Sequence, residues 1–342
     1  MAYDRKNREG HGYCAVVLGG QAAHELYRRS DLAPLIEHSP RVPARQIVHR
    51  VSMPSRASAA RIADALACAT PLSCVVREAK ERRTNRLAYG QVFRDLESGD
   101  VLELDRGLYV LSPELLYVQL ARGADAAMLW MLASEFIGSY GIDHEMLKKG
   151  HTSEEALFER TPLTSSDRLM ACVERASAGK RSLAQRVAML MLPGARSPKE
   201  AQLAALFSLP RRWGGRGIRG VELNHTFLLS SQARRIAGRG ELEGDLYIPS
   251  IDEDVEYDSD LFHASDERRE LDIRKVNALR SMGVGVHTVT RSQLYNWPVF
   301  NALADSLAAR AIRGFRPASS AIKLRQYELW HALLFRDEEH GR

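Results

Sequence analysis

The sequence predicts a mixed α/β protein whose C-terminal mixed sheet is flanked by helices and preceded by a smaller α/β region. Apolar strand-like runs such as LSCVV alternate with helical runs such as SAARIADALACA. The 342 residues are 45% hydrophobic and 27% charged, which is ordinary for a soluble globular protein of two or three domains. We predict an N-terminal region of residues 1–51 without an assigned fold, a small α/β domain over residues 52–164, and a C-terminal domain over residues 165–335.

The N-terminal half contains start signals for strands and helices. HGYCAVVLGGQAAHELYRRS predicts a strand and then a helix, joined by a plain turn at Gly19 and Gly20, because neither GxGxxG nor GxxxxGK[ST] is present. GDVLELDRGLYVLSPELLYVQLA predicts two short strands around Asp105 and a helix that begins near Ser112. Ser caps free amides, the following Pro fits the first turn, and Glu meets the positive end of the helix dipole.

Several features argue against secreted, membrane and zinc proteins. The longest apolar run, AAMLWMLASEFIGSYGI, contains Glu135 and is shorter than a bilayer crossing needs, so it predicts a buried helix and no membrane partner. The polar N-terminus predicts no secretory signal. Four cysteines without CxxC spacing predict reduced thiols, with no disulfide framework and no zinc site. We therefore expect a cytoplasmic protein.

The most informative segment covers residues 241–290. GDLYIP and VEYDS predict two short strands that carry Asp245 and Glu256, and the helix LDIRKVNALRSMG and the apolar strand VGVHTVT follow. Strand pairing would join the two carboxylates in an oxygen-rich site for Mg²⁺ (or Mn²⁺), because a hard ion takes few protein carboxylates and keeps positions for water and phosphate oxygens. A turn role is the alternative for Asp245, whereas Glu256 on a central strand would be costly to bury without a metal or basic partner.

Three further residues are candidates for the same site. Glu200 lies three residues after Ser197 in SPKEAQLAALF, where a capping-box Glu is also common for local reasons. Asp258 either contributes a metal ligand or caps the turn after the strand. His263 is either a general base or phosphate contact, or a surface His in a polar loop. The predicted catalytic residues are Glu200, Asp245, Glu256 and His263, and the predicted metal ligands are Asp245, Glu256 and Asp258.

The order of these motifs resembles the PD-(D/E)xK, or restriction-endonuclease-like, nucleases, in the branch of the very-short-patch repair endonucleases and related small domains. That pattern has a helical Glu, an Asp on a strand, Glu-x-Asp at a strand end, a His, a helix with Asp and Arg, Gly, and a final apolar strand. The matching positions here are Glu200, Asp245, Glu256 with Asp258, His263, and Asp272 with Arg274. The resemblance covers roughly residues 197–309.

The resemblance implies Mg²⁺-dependent hydrolysis of DNA phosphodiester bonds. Asp245 and Glu256 would hold the metal, and Glu200 or His263 would assist proton transfer. Many members have a Lys at the position of Asp258, where it helps to position or activate the attacking water. The branch resembled commonly lacks that Lys as well.

Basic residues favour a polyanionic partner. The net charge is +5, from 48 Lys and Arg against 43 Asp and Glu, and a solvated surface would also explain this small excess. The bias toward Arg over Lys suits phosphate contacts and would equally reflect genome base composition. The run RRWGGRGIRGVELNHTFLLSSQARRIAGRGELEG, between the helix of Glu200 and Asp245, predicts a flexible basic segment that follows a nucleic-acid backbone, with Trp213 available for stacking, and an Arg-rich connecting loop is the alternative. The predicted nucleic-acid contacts are Arg212, Trp213, Arg216, Arg268, Arg269 and Arg274.

A second, shorter resemblance lies in the middle of the chain. GLYVLSPELLYVQLA resembles a segment of the effector-like domain of AbiEi-type abortive-infection antitoxins, which implies a regulatory or toxin–antitoxin ancestry, and a generic α/β scaffold is the alternative. Two functional hypotheses follow. The first is a Mg²⁺-dependent endonuclease in defence or DNA repair, and the second is a catalytically inactive DNA-binding or antitoxin-like regulator. RNA stays open as a target.

Overall fold

The computed structural model describes residues 15–82, 86–92, 96–177, 182–258 and 266–339, without the side chains of residues 44, 266–268 and 336–339. The chain divides into two compact units. The N-terminal unit comprises Met1–Asp125 and Tyr140–Ala188, and the C-terminal unit comprises Ala126–Ser139 and Met189–Arg342. The predicted mixed α/β class, with mixed sheets flanked by helices, is confirmed.

The described elements are as follows. The strands are β1 (Val16–Leu18), β2 (Arg41–Val42), β3 (Leu72–Val76), β4 (Ala88–Val92), β5 (Val101–Asp105), β6 (Leu108–Leu111), β7 (Tyr140–Ile142), β8 (Leu157–Glu159), β9 (Glu222–Leu228), β10 (Glu241–Ile248), β11 (Glu253–Asp258) and β12 (Gly285–Thr290). The α-helices are α1 (Gly20–Tyr27), α2 (Ala33–His38), α3 (Ala44–Ile47), α4 (Arg56–Leu66), α5 (Pro113–Leu120), α6 (Ala126–Ile137), α7 (His144–Lys148), α8 (Ser166–Ala176), α9 (Leu183–Ala188), α10 (Pro198–Ser208), α11 (Ser231–Ala237), α12 (Asp266–Ser281), α13 (Arg291–Leu294), α14 (Trp297–Ala311) and α15 (Ser320–Glu339). Short 3₁₀ helices cover Ser30–Leu32, Ala79–Glu81, Arg211–Trp213 and Pro249–Ile251.

The N-terminal unit is built on a six-stranded sheet in the order β2-β5-β6-β1-β3-β4. β1 is parallel to β6 and β3 is parallel to β4, whereas the other neighbours are antiparallel. All three residues of β1 are apolar and buried, as expected for a strand in the middle of a covered sheet. Ser112 caps α5 by accepting a hydrogen bond from the backbone N–H of Leu115, so this helix begins where the sequence predicts.

The units divide the chain differently from the predicted boundaries. β1 pairs with β3 and β6, and β2 pairs with β5, so residues 1–51 and 52–164 contribute strands to one sheet. α8 and α9 belong to the N-terminal unit, where α8 packs against α5, although the sequence placed them in the C-terminal domain. These divisions depend on pairing between distant segments, which local composition does not report.

The C-terminal unit contains a four-stranded sheet in the order β12-β11-β10-β9. β9, β10 and β11 are successively antiparallel, and β12 is parallel to β11. α11 and α12 pack together over an apolar cluster that includes Phe227, Leu242 and Leu279. The sheet is therefore mixed, and its chain order is α10, β9, β10, β11, α12, β12, with α11 inserted between β9 and β10.

Helices α6, α10 and α15 form a second layer of this unit. The Trp130 indole of α6 donates a hydrogen bond to the carbonyl of Ala201 in α10 at 2.8 Å. The Gln202 amide of α10 donates to the carbonyl of Leu333 in α15, also at 2.8 Å. α6 is buried on nearly all sides, as its apolar sequence predicts. No helix in the described part of the chain is long and apolar enough to span a membrane.

The segment predicted as flexible and basic is folded. It contains the 3₁₀ helix Arg211–Trp213, the strand β9 and the helix α11. A Cβ on Gly214, whose φ is 93°, would lie 2.1 Å from the carbonyl oxygen of Arg325, and one on Gly215 would lie 2.0 Å from that of Leu209. These glycines are required for close backbone packing, so the glycine-rich composition reflects packing here and not a linker.

Candidate active site

Asp245 and Glu256 lie side by side on neighbouring strands. β10 and β11 are antiparallel with Leu246 opposite Val255, so the next pair along the ladder is Asp245 and Glu256. Asp245 Oδ2 accepts a hydrogen bond from the backbone N–H of Tyr257 at 2.9 Å, which orients the carboxylate toward β11. Burial, and next the charge of Glu256, raise the pKa of Asp245 above its usual range. The two carboxylates therefore share one electrostatic environment.

Glu200 is the third carboxylate in this group. It lies in the first turn of α10, where Ser197 Oγ accepts a hydrogen bond from its backbone N–H at 3.2 Å and donates one to its Oε1 at 2.9 Å. Its Oε2 accepts hydrogen bonds from the backbone N–H of Arg196 at 2.8 Å and from Asn224 Nδ2 at 2.6 Å. Burial raises the pKa of Glu200, and these hydrogen bonds oppose the shift. The residue thus has the local capping role that its position allows.

Asn224 connects Glu200 to the sheet. In the β9–β10 ladder, Leu246 pairs with the residue before Asn224 and Gly244 with the residue after it, so Asn224 lies opposite Asp245. Its φ of 49° is unusual for a strand residue other than Gly, and Asn tolerates it better than most side chains. The charge of Glu200 also contributes to the raised pKa of Asp245. The three predicted carboxylates on α10, β10 and β11 are thus brought together.

Lys275 of α12 is a member of the site that the sequence did not single out. Its Nζ lies 2.6 Å from Glu256 Oε1, and the side chains are 21% and 19% exposed, respectively. Its positive charge also lowers the pKa of Asp245, opposing the effect of Glu256. Sequence reasoning assigned Arg268, Arg269 and Arg274 of this helix to nucleic-acid contacts and gave Lys275 no role. The one usable signal was the expectation that Glu256 needs a basic partner.

Asp254 is a second residue that sequence reasoning missed. It lies two residues before Glu256 on β11 and is fully buried. Neither carboxylate oxygen accepts a hydrogen bond from a described donor, and Glu256 can hydrogen-bond to it only if one of the two acids is protonated. Burial, and next the contact with Glu256, raise the pKa of Asp254 far above its usual range.

Gly244 makes room for this buried acid. A Cβ at Gly244 would lie 2.4 Å from the carboxyl carbon and both oxygens of Asp254. Any larger residue would therefore displace Asp254 or the strand. The period-two spacing of Asp254 and Glu256 on one strand was a signal that they share a face. The burial of Asp254 could not be read from the sequence, because it depends on a glycine of the neighbouring strand.

The carboxylate oxygens of the site are suitable ligands for a hard divalent cation, but in their present positions they do not surround one. Carboxylates are ligands for Mg²⁺, and neither oxygen of the buried Asp254 has a hydrogen-bond donor among the described residues. Within the described residues, no three or more His, Cys, Asp or Glu side chains converge in an arrangement that would hold a metal ion. The donor set and its charge fit Mg²⁺ or Mn²⁺, and side-chain rotation would have to bring the carboxylates onto one ion.

The other predicted members of the site are Asp258 and His263. Asp258 is the last residue of β11 and pairs with Thr290 of β12, so it ends the strand and does not occupy a turn after it. His263 lies outside the described residues. Asp272 is exposed on α12.

The structure corrects the prediction for Arg216. Its guanidinium is 1% exposed, with Nε 2.8 Å from Asp305 Oδ1 and Nη2 donating to Asn301 Oδ1 at 2.8 Å. The Arg216 side chain is therefore held in the protein interior, where it does not contact phosphates. Arg212 is exposed, with its guanidinium 4.9 Å from the centre of the half-buried Trp213 ring. The Trp213 ring therefore already has a cationic partner.

The predicted basic residues of α12 are only partly described. Arg269 is exposed. Arg274 forms an exposed ion pair with Glu270, one helical turn earlier, and this pair is of the kind that contributes little stability. The side chain of Arg268 lies outside the described residues.

No protein-family model matches this chain, and no curated protein or solved structure is significantly similar to it.

Proposed function

We propose that the C-terminal unit is a Mg²⁺- or Mn²⁺-dependent endonuclease that hydrolyses DNA phosphodiester bonds, acting in defence or DNA repair. The observation that carries the proposal is the meeting of Glu200, Asp245 and Glu256 with Lys275 where α10, β10, β11 and α12 come together. The helix–strand–strand–strand–helix–strand order around the mixed sheet, and the motif order resembling PD-(D/E)xK nucleases, support it. A buried acidic cluster is costly, and catalysis is a reason to retain it.

Each residue has a defined part in this proposal. Asp245 and Glu256 would hold the cation, with Asp245 oriented by the backbone N–H of Tyr257. The bound ion would supply Lewis acidity to the phosphate and lower the pKa of the attacking water. Glu200 would act on proton transfer only after giving up hydrogen bonds, because Ser197 and Asn224 already occupy its oxygens. His263 is the other proposed proton-transfer group, and Asp258 a further proposed ligand.

Lys275 supplies the positive charge that Asp258 does not. In the resembled pattern a Lys on the strand positions or activates water near the acidic pair. Here the ammonium reaches Glu256 from α12, across the sheet face. A fixed cation at this place would stabilise negative charge that develops on the phosphate during attack.

Cleavage of supercoiled plasmid DNA tests the proposal. With Mg²⁺ or Mn²⁺ the protein is expected to nick or cut DNA, and Glu256→Gln and Asp245→Asn are expected to abolish cleavage, since an amide keeps the shape and removes the charge. Glu241→Gln is the matched control, because Glu241 is an exposed acid on the same strand as Asp245. Cleavage that persists in Glu256→Gln and Asp245→Asn would refute the proposal.

A second function is binding of DNA or RNA without cleavage, as in a regulator of a toxin–antitoxin or abortive-infection system. The ion pair of Lys275 with Glu256 favours it, because that contact already neutralises a carboxylate that the metal would need. Under this proposal, affinity for nucleic acid depends on salt and not on divalent cations. The plasmid assay separates the two, since a binding module retards DNA on a gel without cutting it.

A further inference from the structure

A continuous strip of aromatic rings lies on the surface of the C-terminal unit. We define the ring strip as Tyr295, Trp297, Tyr327, His331 and Phe335. Adjacent ring centres along it are 5.1 to 6.0 Å apart, for example 5.1 Å between His331 and Phe335. Tyr327 is 43% exposed, and the other members are partly exposed. So much aromatic surface at the solvent needs an explanation.

The strip is linear and has cations at both ends. Tyr327, His331 and Phe335 recur every four residues of α15, so they align over about 12 Å of one helix face. Lys323, one turn before Tyr327, is exposed on that same face. At the other end, the guanidinium of Arg291 lies 5.5 Å from the ring centre of Tyr295.

The strip begins beside the candidate active site. Lys199 Nζ donates a hydrogen bond to the Tyr295 hydroxyl at 2.7 Å, and Lys199 immediately precedes Glu200 on α10. Arg291 directly follows Thr290, which pairs with Asp258 at the end of β11. Both connections place the Tyr295 end of the strip near the first turn of α10, which carries Glu200, and near the ends of β11 and β12.

We propose that the ring strip binds unpaired nucleotides of a single-stranded nucleic-acid segment next to the candidate site, with bases stacked on its exposed rings. The inference rests on the proposed function for the class of ligand. Every base has a π face, and a row of rings with a basic residue at each end suits bases and phosphates together. A protein partner would instead use Leu324, which is 58% exposed one turn before Tyr327, as its main contact.

The strip is rigid enough to act as a platform. Trp330 packs beneath it, with ring centres 5.5 Å from Trp297 and 5.6 Å from Tyr327. The Trp330 indole donates a hydrogen bond to the carbonyl of Leu294 at 2.8 Å, which fixes α15 against the end of α13. A base would therefore stack on rings that are already positioned, at little cost in side-chain entropy.

Fluorescence anisotropy of a labelled oligothymidine in EDTA tests this inference without cleavage. Tyr327→Ala is expected to weaken binding roughly tenfold. Tyr327→Phe keeps the ring, and Leu324→Ala is the matched control on the same helix face, so both should stay within about twofold of the wild type. A blunt duplex should bind all four proteins equally. Unchanged affinity of Tyr327→Ala for the oligonucleotide would overturn the inference.

Two further outcomes separate this inference from the proposed function. If oligonucleotide binding depends on the rings but the protein never cuts DNA, the inference about the ring strip is supported and the proposed nuclease function is refuted. If the protein cuts DNA but Tyr327→Ala leaves oligonucleotide binding unchanged, the nuclease function is supported and the inference about the ring strip is refuted. Sedimentation provides the test for a protein contact: if Leu324→Ala and Tyr327→Ala both dissociate an oligomer and leave oligonucleotide binding intact, the strip is a protein interface and the inference is refuted.

Discussion

The ammonium of Lys275 lies 2.6 Å from the carboxylate of Glu256, and this contact joins α12 to the central strand β11. Both side chains are about four-fifths buried, so the pair is screened less than a surface ion pair. Lys275 offsets one charge in a region that also contains Asp245 and Asp254. The same lysine thus offsets part of the charge of the acidic cluster, and under the proposed function the remaining carboxylates bind the cation.

Replacing Lys275 tests this double role. Lys275→Met should lower single-turnover cleavage by roughly two orders of magnitude, because a fixed charge near the phosphate is lost. Lys275→Arg keeps the charge but spreads it over a planar fork, so partial activity is expected. Arg280→Met, an exposed change on the same helix, is the control, and circular dichroism verifies folding. Wild-type cleavage by Lys275→Met would exclude a catalytic part for this residue.

The sequence accounts for the fold near the site better than for the site itself. Local patterns locate β10, β11, β12 and the capped start of α10, because alternation and caps are properties of short segments. The strand β9 was missed, since its Gly- and Arg-rich approach reads as a loop. Lys275 and Asp254 were missed because ion pairing and burial depend on contacts between α12, β10 and β11, which no single segment encodes.

The close approach of Asp254 to Gly244 predicts a steric coupling between the two strands. Gly244→Ala should lower the free energy of unfolding by about 1–3 kcal/mol, because its Cβ would lie 2.4 Å from the Asp254 carboxyl group. Asp254→Ala should remove that collision, so the double variant should lose less than the sum of the two changes. Urea denaturation of the four proteins gives the coupling energy. If the effects of the two changes on unfolding free energy were strictly additive, β10 would have shifted to make room for the added methyl group, and Asp254 would not be involved.

Glu25 of α1 predicts how the N-terminal unit responds to acid. Burial raises its pKa, but the nearby His144 ring, whose Nε2 lies 3.5 Å from Oε1, and hydrogen bonds from the backbone N–H of Ala69 and the Gln21 amide lower it to about 2. A folded-state pKa below the unfolded value of 4.5 stabilises the protein above that value, and the contribution is lost as pH falls toward 2. We expect Glu25→Gln to cost on the order of 2 kcal/mol at neutral pH and progressively less in acid.

Urea denaturation of wild type and Glu25→Gln across this pH range measures the difference. The exposed Glu37→Gln change in the same unit is the control, and it should cost little at any pH. A Glu25→Gln penalty that stayed constant from neutral pH to pH 2 would show that the hydrogen bonds do not favour the ionised carboxylate.

Substitutions of Arg212 and Arg216 should have opposite effects on stability and on DNA binding, although the two residues lie four positions apart in the same basic run. Arg216→Ala leaves Asp305 without its buried partner, so we expect a loss of about 3–5 kcal/mol in unfolding free energy. Replacing both members, as in Arg216→Met with Asp305→Leu, should recover much of that loss. Arg212→Ala, at an exposed position, should leave stability nearly unchanged.

DNA binding measured against salt concentration completes the comparison. If Arg212 contacts a phosphate, Arg212→Ala should reduce the slope of log affinity against log salt by about one unit. The folded double variant at positions 216 and 305 should keep the wild-type slope, because the Arg216 guanidinium is buried and paired within the protein. A reduced slope in that double variant would mean that Arg216 leaves its pocket to reach DNA, and it would restore the phosphate contact that the sequence predicted.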